Sequence, residues 1–151
     1  MQIWVDADAC PKPVRDILVR AARRREVQTT FVANQFLQLP PSPFIRAVKV
    51  AQGFDVADDR IAIELTAGDL VITADIPLAA AVVRRDALAL NPRGTLYTTA
   101  NVAEHLARRN LLEELRSSGQ VSGGPPALGK ADIQAFANQL DRLITRDSGL
   151  K

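Results

Sequence analysis

The sequence predicts an α/β fold, a three-layer α/β/α domain in which helices cover both faces of a largely parallel central sheet. Short apolar runs rich in β-branched residues alternate with amphipathic stretches along the chain, and this alternation is typical of strands joined by helices. A chain of 151 residues with 47% hydrophobic content is long enough to bury a substantial core. We therefore expect a single domain over residues 1–151.

The first half of the chain supplies three predicted strands and two predicted helices. "QIWV" at 2–5 is a short apolar strand, and Pro11 and Pro13 suit the first turn of a helix, because a missing N–H costs nothing there. Apolar residues at helical spacing continue this helix: Val14, Ile17, Leu18, Ala21 and Ala22. The further elements are strands at 27–33 and 44–50 and a helix at 56–68 with acidic residues near its start.

The second half of the chain continues the alternation. "DLVITA" at 69–74 is the most strand-like segment, and Pro77 opens a helix through about Arg85 with an apolar side formed by Ile76, Ala80 and Val83. The remaining elements are a strand at 87–90, a short extension at 95–98, a helix at 100–116, a flexible loop at about 117–131 and a last helix at about 132–146. The expected core side of the helix at 100–116 is Ala103, Leu106, Leu111, Leu112 and Leu115.

The composition excludes several functional classes. Nineteen basic and 17 acidic residues give a net charge of +2, unlike the strongly basic profile of a dedicated nucleic-acid coat protein. The single cysteine cannot form an internal disulfide. We expect no signal peptide, because "MQIWVD" has no basic region and no long apolar run, and no apolar run approaches the roughly 18 residues that span a membrane. We therefore expect a cytoplasmic protein without membrane contact. Aromatic residues make up 5% of the chain, which gives no indication of base-stacking platforms.

Aspartates cluster where predicted strands end and where one predicted helix begins. The first strand ends in "VDADA", and "LVITAD" closes the fourth strand. In open parallel sheets, ligands bind outside the carboxyl ends of the strands, and the first and fourth strands can be spatial neighbours. We therefore expect one acidic site at this edge, with catalytic residues Asp6, Asp8, Asp58, Asp59 and Asp75 and with Thr73 beside them.

Carboxylates grouped in this way need a partner of opposite charge. Two unit charges about 4 Å apart repel by roughly 1 kcal/mol in water and by several times more at a partly buried site. A proton or a cation relieves this repulsion, and oxygen ligands favour Mg²⁺ or Mn²⁺, whereas no His/Cys set has zinc spacing. The expected ligands are Asp6, Asp8, Asp58 and Asp75, with Asp59 as the alternative to Asp58. Helix capping is the structural alternative for Asp8, Asp58, Asp59 and Asp75.

Further polar residues, together with Thr73, are candidates for substrate binding. Arg93 follows a predicted strand and, together with Lys12, could meet a phosphate, while Asn91 could orient a bound water; the alternative is that "NPRG" is simply a turn. Lys130 and the "GGPP" segment at 123–126 could close over the site as a flap. Three basic groups could track a nucleic-acid backbone, or could equally be solvated helix ends: Arg23–Arg25, Arg84–Arg85 and Arg108–Arg109.

Five motifs resemble a known family over nearly the whole chain. "VDADACP", "ADDRIA", "DLVITADIPLA", "LNPRG" and "GGPPALGKADIQAFANQLDRLI" together look like the YaiI/YqxD family of small bacterial proteins. That family is similar to PIN-like domains, the fold of many metal-dependent ribonucleases. The resemblance implies that Asp6, Asp58 or Asp59, and Asp75 hold metal for RNA cleavage. PIN nucleases usually add an acidic residue between the second and third strands, where this chain has none, and Asp8 is the candidate substitute.

Two other interpretations stay open. "VDADAC" also resembles the haloacid-dehalogenase phosphatases, in which Asp6 would be a nucleophile attacking a phosphomonoester. The acidic pair Asp58-Asp59 precedes the strand with Thr73, which is the reverse of their motif order. The second alternative is a catalytically inactive PIN-like module that binds RNA or protein. Cys10 lacks the Cys-five residues-Arg spacing of cysteine phosphatases, because position 16 is Asp16.

Overall fold

The computed structural model describes residues 1–53, 56–120 and 127–149. Within these residues, six strands form one sheet in the order β3-β2-β1-β4-β5-β6. The strands are β1 (Ile3–Asp6), β2 (Thr29–Ala33), β3 (Ile45–Lys49), β4 (Leu70–Ile72), β5 (Leu88–Leu90) and β6 (Leu96–Tyr97). All neighbouring strands are parallel except β5 and β6, which pair antiparallel.

Five helices of the described chain accompany the sheet. They are α1 (Lys12–Arg25), α2 (Val56–Glu64), α3 (Ile76–Arg84), α4 (Val102–Ser117) and α5 (Lys130–Gly149), with a short 3₁₀ turn at Ala7–Ala9 before α1. α1 and α5 supply the apolar core on one face of the sheet, and α2 and α3 supply the core on the other. The prediction of a three-layer α/β/α fold with a largely parallel sheet is confirmed.

Alternation along β1 explains how one short strand serves both cores. Successive side chains of a strand point to opposite faces of the sheet, so Ile3 and Val5 are buried with α1 and α5, whereas Trp4 is buried with α2 and α3. Every residue of β1 is buried. A strand buried on both faces reads as a continuous apolar run, which is the pattern that "IWV" shows.

Two helices differ from their predicted form. α2 ends at Glu64 rather than near position 68, and the chain then turns through Gly68 into β4. The predicted core side of α4 is wrong, because no residue of α4 is buried and Leu111 is 55% exposed. α4 packs on the outside of α3, where its leucines remain partly accessible to solvent. Its amphipathic pattern was correct for a helix but overstated how much surface the helix buries.

Strand order brings distant parts of the sequence together at one edge. β1 lies between β2 and β4, with Ile3 opposite Leu70 and Val5 opposite Ile72. The chain direction across the sheet therefore reverses between β1 and β4, and such a reversal opens a crevice at the carboxyl ends of the two strands. In the described part of the chain, no helix is long and apolar enough to cross a membrane.

The turn after β5 presses against the backbone of α5. Gly94 has φ +94°, and a Cβ atom placed on it would lie 2.8 Å from the carbonyl carbon of Ala135. Gly94→Ala is expected to lower the free energy of unfolding by about 2–4 kcal/mol, because both the backbone angle and the close contact oppose a side chain. Urea denaturation measures this loss.

Gly68→Ala is the matched control for that substitution. Gly68 has a similar φ of +88°, but a Cβ atom there would meet nothing within 4 Å. We expect a loss of about 1 kcal/mol from backbone strain alone. Equal losses at the two glycines would show that the turn does not press on α5.

Candidate functional site

Asp6 is the centre of the acidic edge. It ends β1, is 8% exposed, and its Oδ2 accepts a hydrogen bond of 3.0 Å from Oγ1 of Thr73, which directly follows β4. Thr73 Oγ1 in turn accepts a 3.0 Å hydrogen bond from the backbone N–H of Asp75. The threonine thus ties the end of β1 to the start of α3 and fixes the position of the Asp6 carboxylate.

The pKa of the Asp6 carboxyl is raised above its ordinary value of 3.8. Burial is the main cause, and the negative charges of Asp75 and Asp8 raise the pKa further. Hydrogen bonds with Thr73 and with the Asp58 side chain oppose these effects. The folded protein therefore holds a proton on Asp6 more tightly than an exposed aspartate would, and a cation bound beside it would relieve the same repulsion.

Asp8 and Asp58 border a cleft that opens beside Asp6. Its volume is about 200 Å³, and we call it the acidic cleft. Its lining residues are Asp6, Asp8, Asn34, Ala51, Gly53, Val56, Ala57 and Asp58. Asp8 Oδ2 accepts a 2.8 Å hydrogen bond from the backbone N–H of Asn34, the residue after β2. α1 begins after Pro11 without a side-chain cap, so the capping interpretation does not apply to Asp8.

Asp75 has a structural task as well as a place at the acidic edge. Its Oδ1 accepts a 2.9 Å hydrogen bond from the backbone N–H of Leu78, which makes Asp75 the N-cap of α3. Asp75, Asp58, Asp59 and Arg109 also line a second cavity of about 370 Å³ between α2, α3 and α4. Asp58 borders both cavities, so the two lie next to each other along the carboxyl edge of the sheet.

The side chains fit a hard cation held by few protein ligands. All candidate ligand atoms are carboxylate oxygens, which Mg²⁺ and Mn²⁺ prefer, and the negative charge around Asp6 is concentrated. Among the residues that the structure describes, no group of three or more His, Cys, Asp or Glu side chains has metal-binding geometry. Mg²⁺ commonly uses only one or two carboxylates and keeps several waters. The arrangement therefore suits this kind of site and not an all-protein cage.

Lys12, Asn91 and Arg93, which were predicted to bind substrate, are not among the residues that line the acidic cleft, whereas Thr73 hydrogen-bonds Asp6. Lys12 begins α1 and pairs with Asp16 at 3.2 Å, with 74% of its side chain exposed. Asn91 Oδ1 accepts a 2.6 Å hydrogen bond from the backbone N–H of Arg93, within the turn after β5. Arg93 Nη1 pairs with Asp132 at 2.8 Å and so holds the start of α5. These contacts support the turn interpretation of "NPRG".

Lys130 and the "GGPP" segment were predicted to close over the site as a flap. Lys130 is the first residue of α5, and the helix thus begins two residues earlier than predicted. The "GGPP" segment at 123–126 lies outside the described residues. Asp132 Oδ2 accepts a 3.0 Å hydrogen bond from the backbone N–H of Gly129, which fastens the first turn of the helix.

The basic run Arg23–Arg25 lies at the opposite edge of the sheet. α1 runs back from the carboxyl end of β1 to the start of β2, so the end of α1 lies far from Asp6. Arg25 pairs there with Asp141 of α5 at 2.9 Å and donates to Thr145 Oγ1 at 2.8 Å. For the same topological reason, Arg84 and Arg85 lie at the far end of α3. Of the three basic groups, only Arg108–Arg109 adjoins the acidic edge, through Arg109.

Cys10 is near the site but unsuited to nucleophilic chemistry. Burial raises the pKa of its thiol to about 12. Since the thiolate is the nucleophile, a thiol with this pKa is almost entirely unreactive at neutral pH. Cys10 is a free cysteine that packs against the core beside α1.

Comparison with known proteins gives the family. A family model described as "Uncharacterized BCR, YaiI/YqxD family" matches residues 4–146. The chain belongs to the YaiI/YqxD family. It is 62% identical over 146 residues to a UPF0178 protein from Dechloromonas aromatica, covering 97% of each chain. It is 60% identical to a UPF0178 protein from Maridesulfovibrio salexigens, again with 97% coverage of each chain.

Asn34 was not predicted from the sequence of this YaiI/YqxD protein, and Arg109 was predicted only as part of the basic group Arg108–Arg109. Asn34 lines the acidic cleft and follows β2 directly, so its place at a predicted strand end was a usable signal. Arg109 lines the second cavity from the middle of α4, where helix-face patterns alone do not show which neighbour it meets. Both residues place hydrogen-bond donors along an otherwise acidic edge.

Asp6→Asn is expected to stabilise the metal-free protein in a pH-dependent way. A raised native pKa means that the folded protein binds the Asp6 proton more tightly than the unfolded chain, so ionisation of Asp6 lowers stability as pH rises. Asparagine cannot ionise, yet its amide oxygen can still accept from Thr73. The stability difference between variant and wild type should be absent below about pH 3.8, grow as pH rises through the native pKa, and stay constant above it. Urea titrations in chelator across this range measure the difference, and a pH-independent difference would contradict the assignment.

Proposed function

We propose that this YaiI/YqxD protein is a metal-dependent hydrolase that cleaves phosphodiester bonds of RNA with Mg²⁺ or Mn²⁺ at the acidic cleft. The observation that carries the proposal is Asp6, a buried carboxylate whose pKa is raised by burial and by the charges of Asp75 and Asp8. Repulsion between these carboxylates destabilises the fold unless a cation or a proton neutralises part of the charge. The free cysteine suits a reducing compartment such as the cytoplasm, where RNA is abundant.

The aspartates divide the work of holding the cation. Asp6, Asp8 and Asp58 line one cleft, and the charge of Asp75 acts on Asp6 from the side of β4. We assign Asp6 and Asp58 as the direct ligands, because both line the acidic cleft and their side chains are hydrogen-bonded to each other. One carboxylate oxygen of Asp8 and one of Asp75 each accept a hydrogen bond from a backbone N–H. These two aspartates hold the cation directly or through water. When bound, the metal supplies an activated water and stabilises the leaving oxygen.

The neighbouring groups favour a phosphodiester as substrate. The second cavity continues from Asp58 and Asp75 to Arg109, whose guanidinium pairs with Glu113 at 3.1 Å and is 39% exposed. A phosphate next to the scissile one can approach this guanidinium, since arginine binds phosphate oxygens in a fixed fork geometry. Asn34 adds a polar side chain at the other wall of the acidic cleft. The acidic edge thus offers positions for one reacting phosphate and one neighbouring phosphate.

An assay with three substrates tests the proposed function. Wild-type protein is incubated with a single-stranded RNA, a duplex RNA and a small phosphomonoester, each with Mn²⁺, with Mg²⁺ and with excess chelator. We expect internal cleavage of RNA with either metal and none with chelator. Phosphate release from the monoester together with a covalent adduct on Asp6 would instead identify a haloacid-dehalogenase-like phosphatase. RNA binding without metal-dependent turnover would identify an inactive binding module.

A further inference from the structure

Phe36 stands out among the apolar side chains that the structure describes. It is 83% exposed, more than any other large hydrophobic residue in residues 1–53, 56–120 and 127–149. It lies in the segment between β2 and β3, two residues after Asn34, which lines the acidic cleft. Two residues of chain span at most about 7 Å. The exposed ring is therefore attached directly beside the cleft wall.

The backbone on both sides of Phe36 is held in place. The N–H of Asn34 donates to Asp8 Oδ2 at 2.8 Å, which ties the segment to the acidic cleft. Leu37, the next residue, is 9% exposed and packs into the core formed with α1 and α5. These two contacts hold the backbone on either side of Phe36, while its ring is exposed to solvent.

The surroundings of Phe36 favour a nucleobase over a protein partner. Protein docking sites present contiguous apolar patches, whereas Phe36 is flanked by exposed Gln35 and by Gln38 one residue further on. An exposed aromatic ring can stack on one base, and amide side chains next to it in the sequence can hydrogen-bond the edges of that base. The ring lies next to a cleft for which a reacting phosphate is already proposed.

We propose that Phe36 stacks on an unpaired base adjacent to the phosphodiester cleaved at the acidic cleft. The inference rests on the proposed function and deepens it, because it names a specificity-determining residue and restricts the substrate. A base in a duplex already stacks on its neighbours and cannot offer its face to Phe36. The preferred substrate is therefore RNA that is single-stranded at the cleavage position.

Binding and cleavage of a fluorescent single-stranded RNA of about 12 nucleotides test the role of Phe36. Anisotropy and product formation are followed with Mn²⁺ for wild type, Phe36→Ala and Phe36→Trp. We expect Phe36→Ala to weaken RNA binding about 10-fold and to raise KM with little change in kcat, while Phe36→Trp keeps wild-type affinity. Removing the stacked base from the RNA should cost wild type the same factor and cost Phe36→Ala nothing further.

Leu111→Ala is the matched control. Leu111 is 55% exposed on α4, and because it is two positions from Arg109 it points away from the second cavity. Its removal deletes a similar exposed apolar side chain and should leave RNA affinity unchanged. Equal affinity of wild type and Phe36→Ala for every RNA, with cleavage intact, would overturn the stacking role and leave the proposed function standing. Binding that depends on Phe36 without any cleavage would overturn the proposed function and leave the stacking role standing. RNA that is neither bound nor cut would overturn both the stacking role and the proposed function.

Discussion

Asp6→Asn is expected to reduce Mn²⁺-dependent RNA cleavage by a factor of about 10³ or more. Asp6 lies at the centre of the acidic edge. Thr73 and Asp58 form hydrogen bonds with its carboxylate, and the negative charges of Asp8 and Asp75 act on it. An asparagine keeps the hydrogen bond from Thr73 but removes the charge that attracts the cation. The rate of RNA cleavage at saturating Mn²⁺ measures this loss, and circular dichroism verifies that the variant is folded.

Asp16→Asn is the control for the loss of one negative charge. Asp16 lies on α1, pairs with Lys12 and has 53% of its side chain exposed. Cleavage by this variant should remain within about twofold of wild type, because a single exposed charge is screened by salt. An Asp6→Asn variant that keeps more than about a tenth of wild-type activity would remove Asp6 from the reaction.

Asp69→Ala is expected to lower the free energy of unfolding by about 3–5 kcal/mol. Asp69 is 4% exposed and precedes β4 at the end of the sheet opposite Asp6. Its carboxylate accepts from the backbone N–H of Gln2 at 3.1 Å and from Nε1 of Trp4 at 3.0 Å. It also accepts from the backbone N–H and Oγ1 of Thr66, at 2.9 and 3.0 Å. Alanine would leave the buried indole N–H of Trp4 without an acceptor, together with the partly buried donors of Gln2 and Thr66.

Urea denaturation of Asp69→Ala measures this loss, and Asp6→Asn serves as the comparison. Both substitutions remove a buried carboxylate, but Asp69 is satisfied by four donors, whereas Asp6 is held among other carboxylates. The first variant should be destabilised and the second stabilised at neutral pH in chelator. A loss below about 1 kcal/mol for Asp69→Ala would show that water replaces its acceptor role.

Asp6 and Asp69 differ in how well the sequence alone predicts their contacts. The "VDADA" motif and the strand-end rule correctly predicted that Asp6 and Asp75 meet at one edge. No comparable rule marks Asp69, whose partners Trp4 and Thr66 come from two other segments of the chain. A carboxylate that satisfies donors from several elements is defined by tertiary contacts, which local patterns do not contain.

The contacts and burial of side chains in helices and loops were predicted less well than the positions of the strands. The apolar spacing of α4 predicted a helix correctly, yet its leucines stay partly exposed because α4 packs on α3 and not on the sheet. Arg93, which was predicted to meet a phosphate, forms an ion pair with Asp132 that no local pattern indicated. Phe36 lies in a loop of polar residues and prolines, where local patterns do not predict which side chains are exposed. The spacing of apolar residues predicts whether a segment is a helix or a strand, but tertiary packing determines which of its side chains are buried.

Calorimetric titration with Mn²⁺ tests the central claim most directly. Wild type is compared with the double variant Asp6→Asn/Asp75→Asn, in which the asparagine introduced at position 75 remains a competent N-cap for α3. We expect saturable binding by wild type that weakens as pH falls, because protonation of Asp6, whose pKa is raised, competes with the cation. We expect no binding by the double variant. Folded wild-type protein that does not bind millimolar Mn²⁺, or a double variant that binds it equally well, would contradict a metal site at this edge.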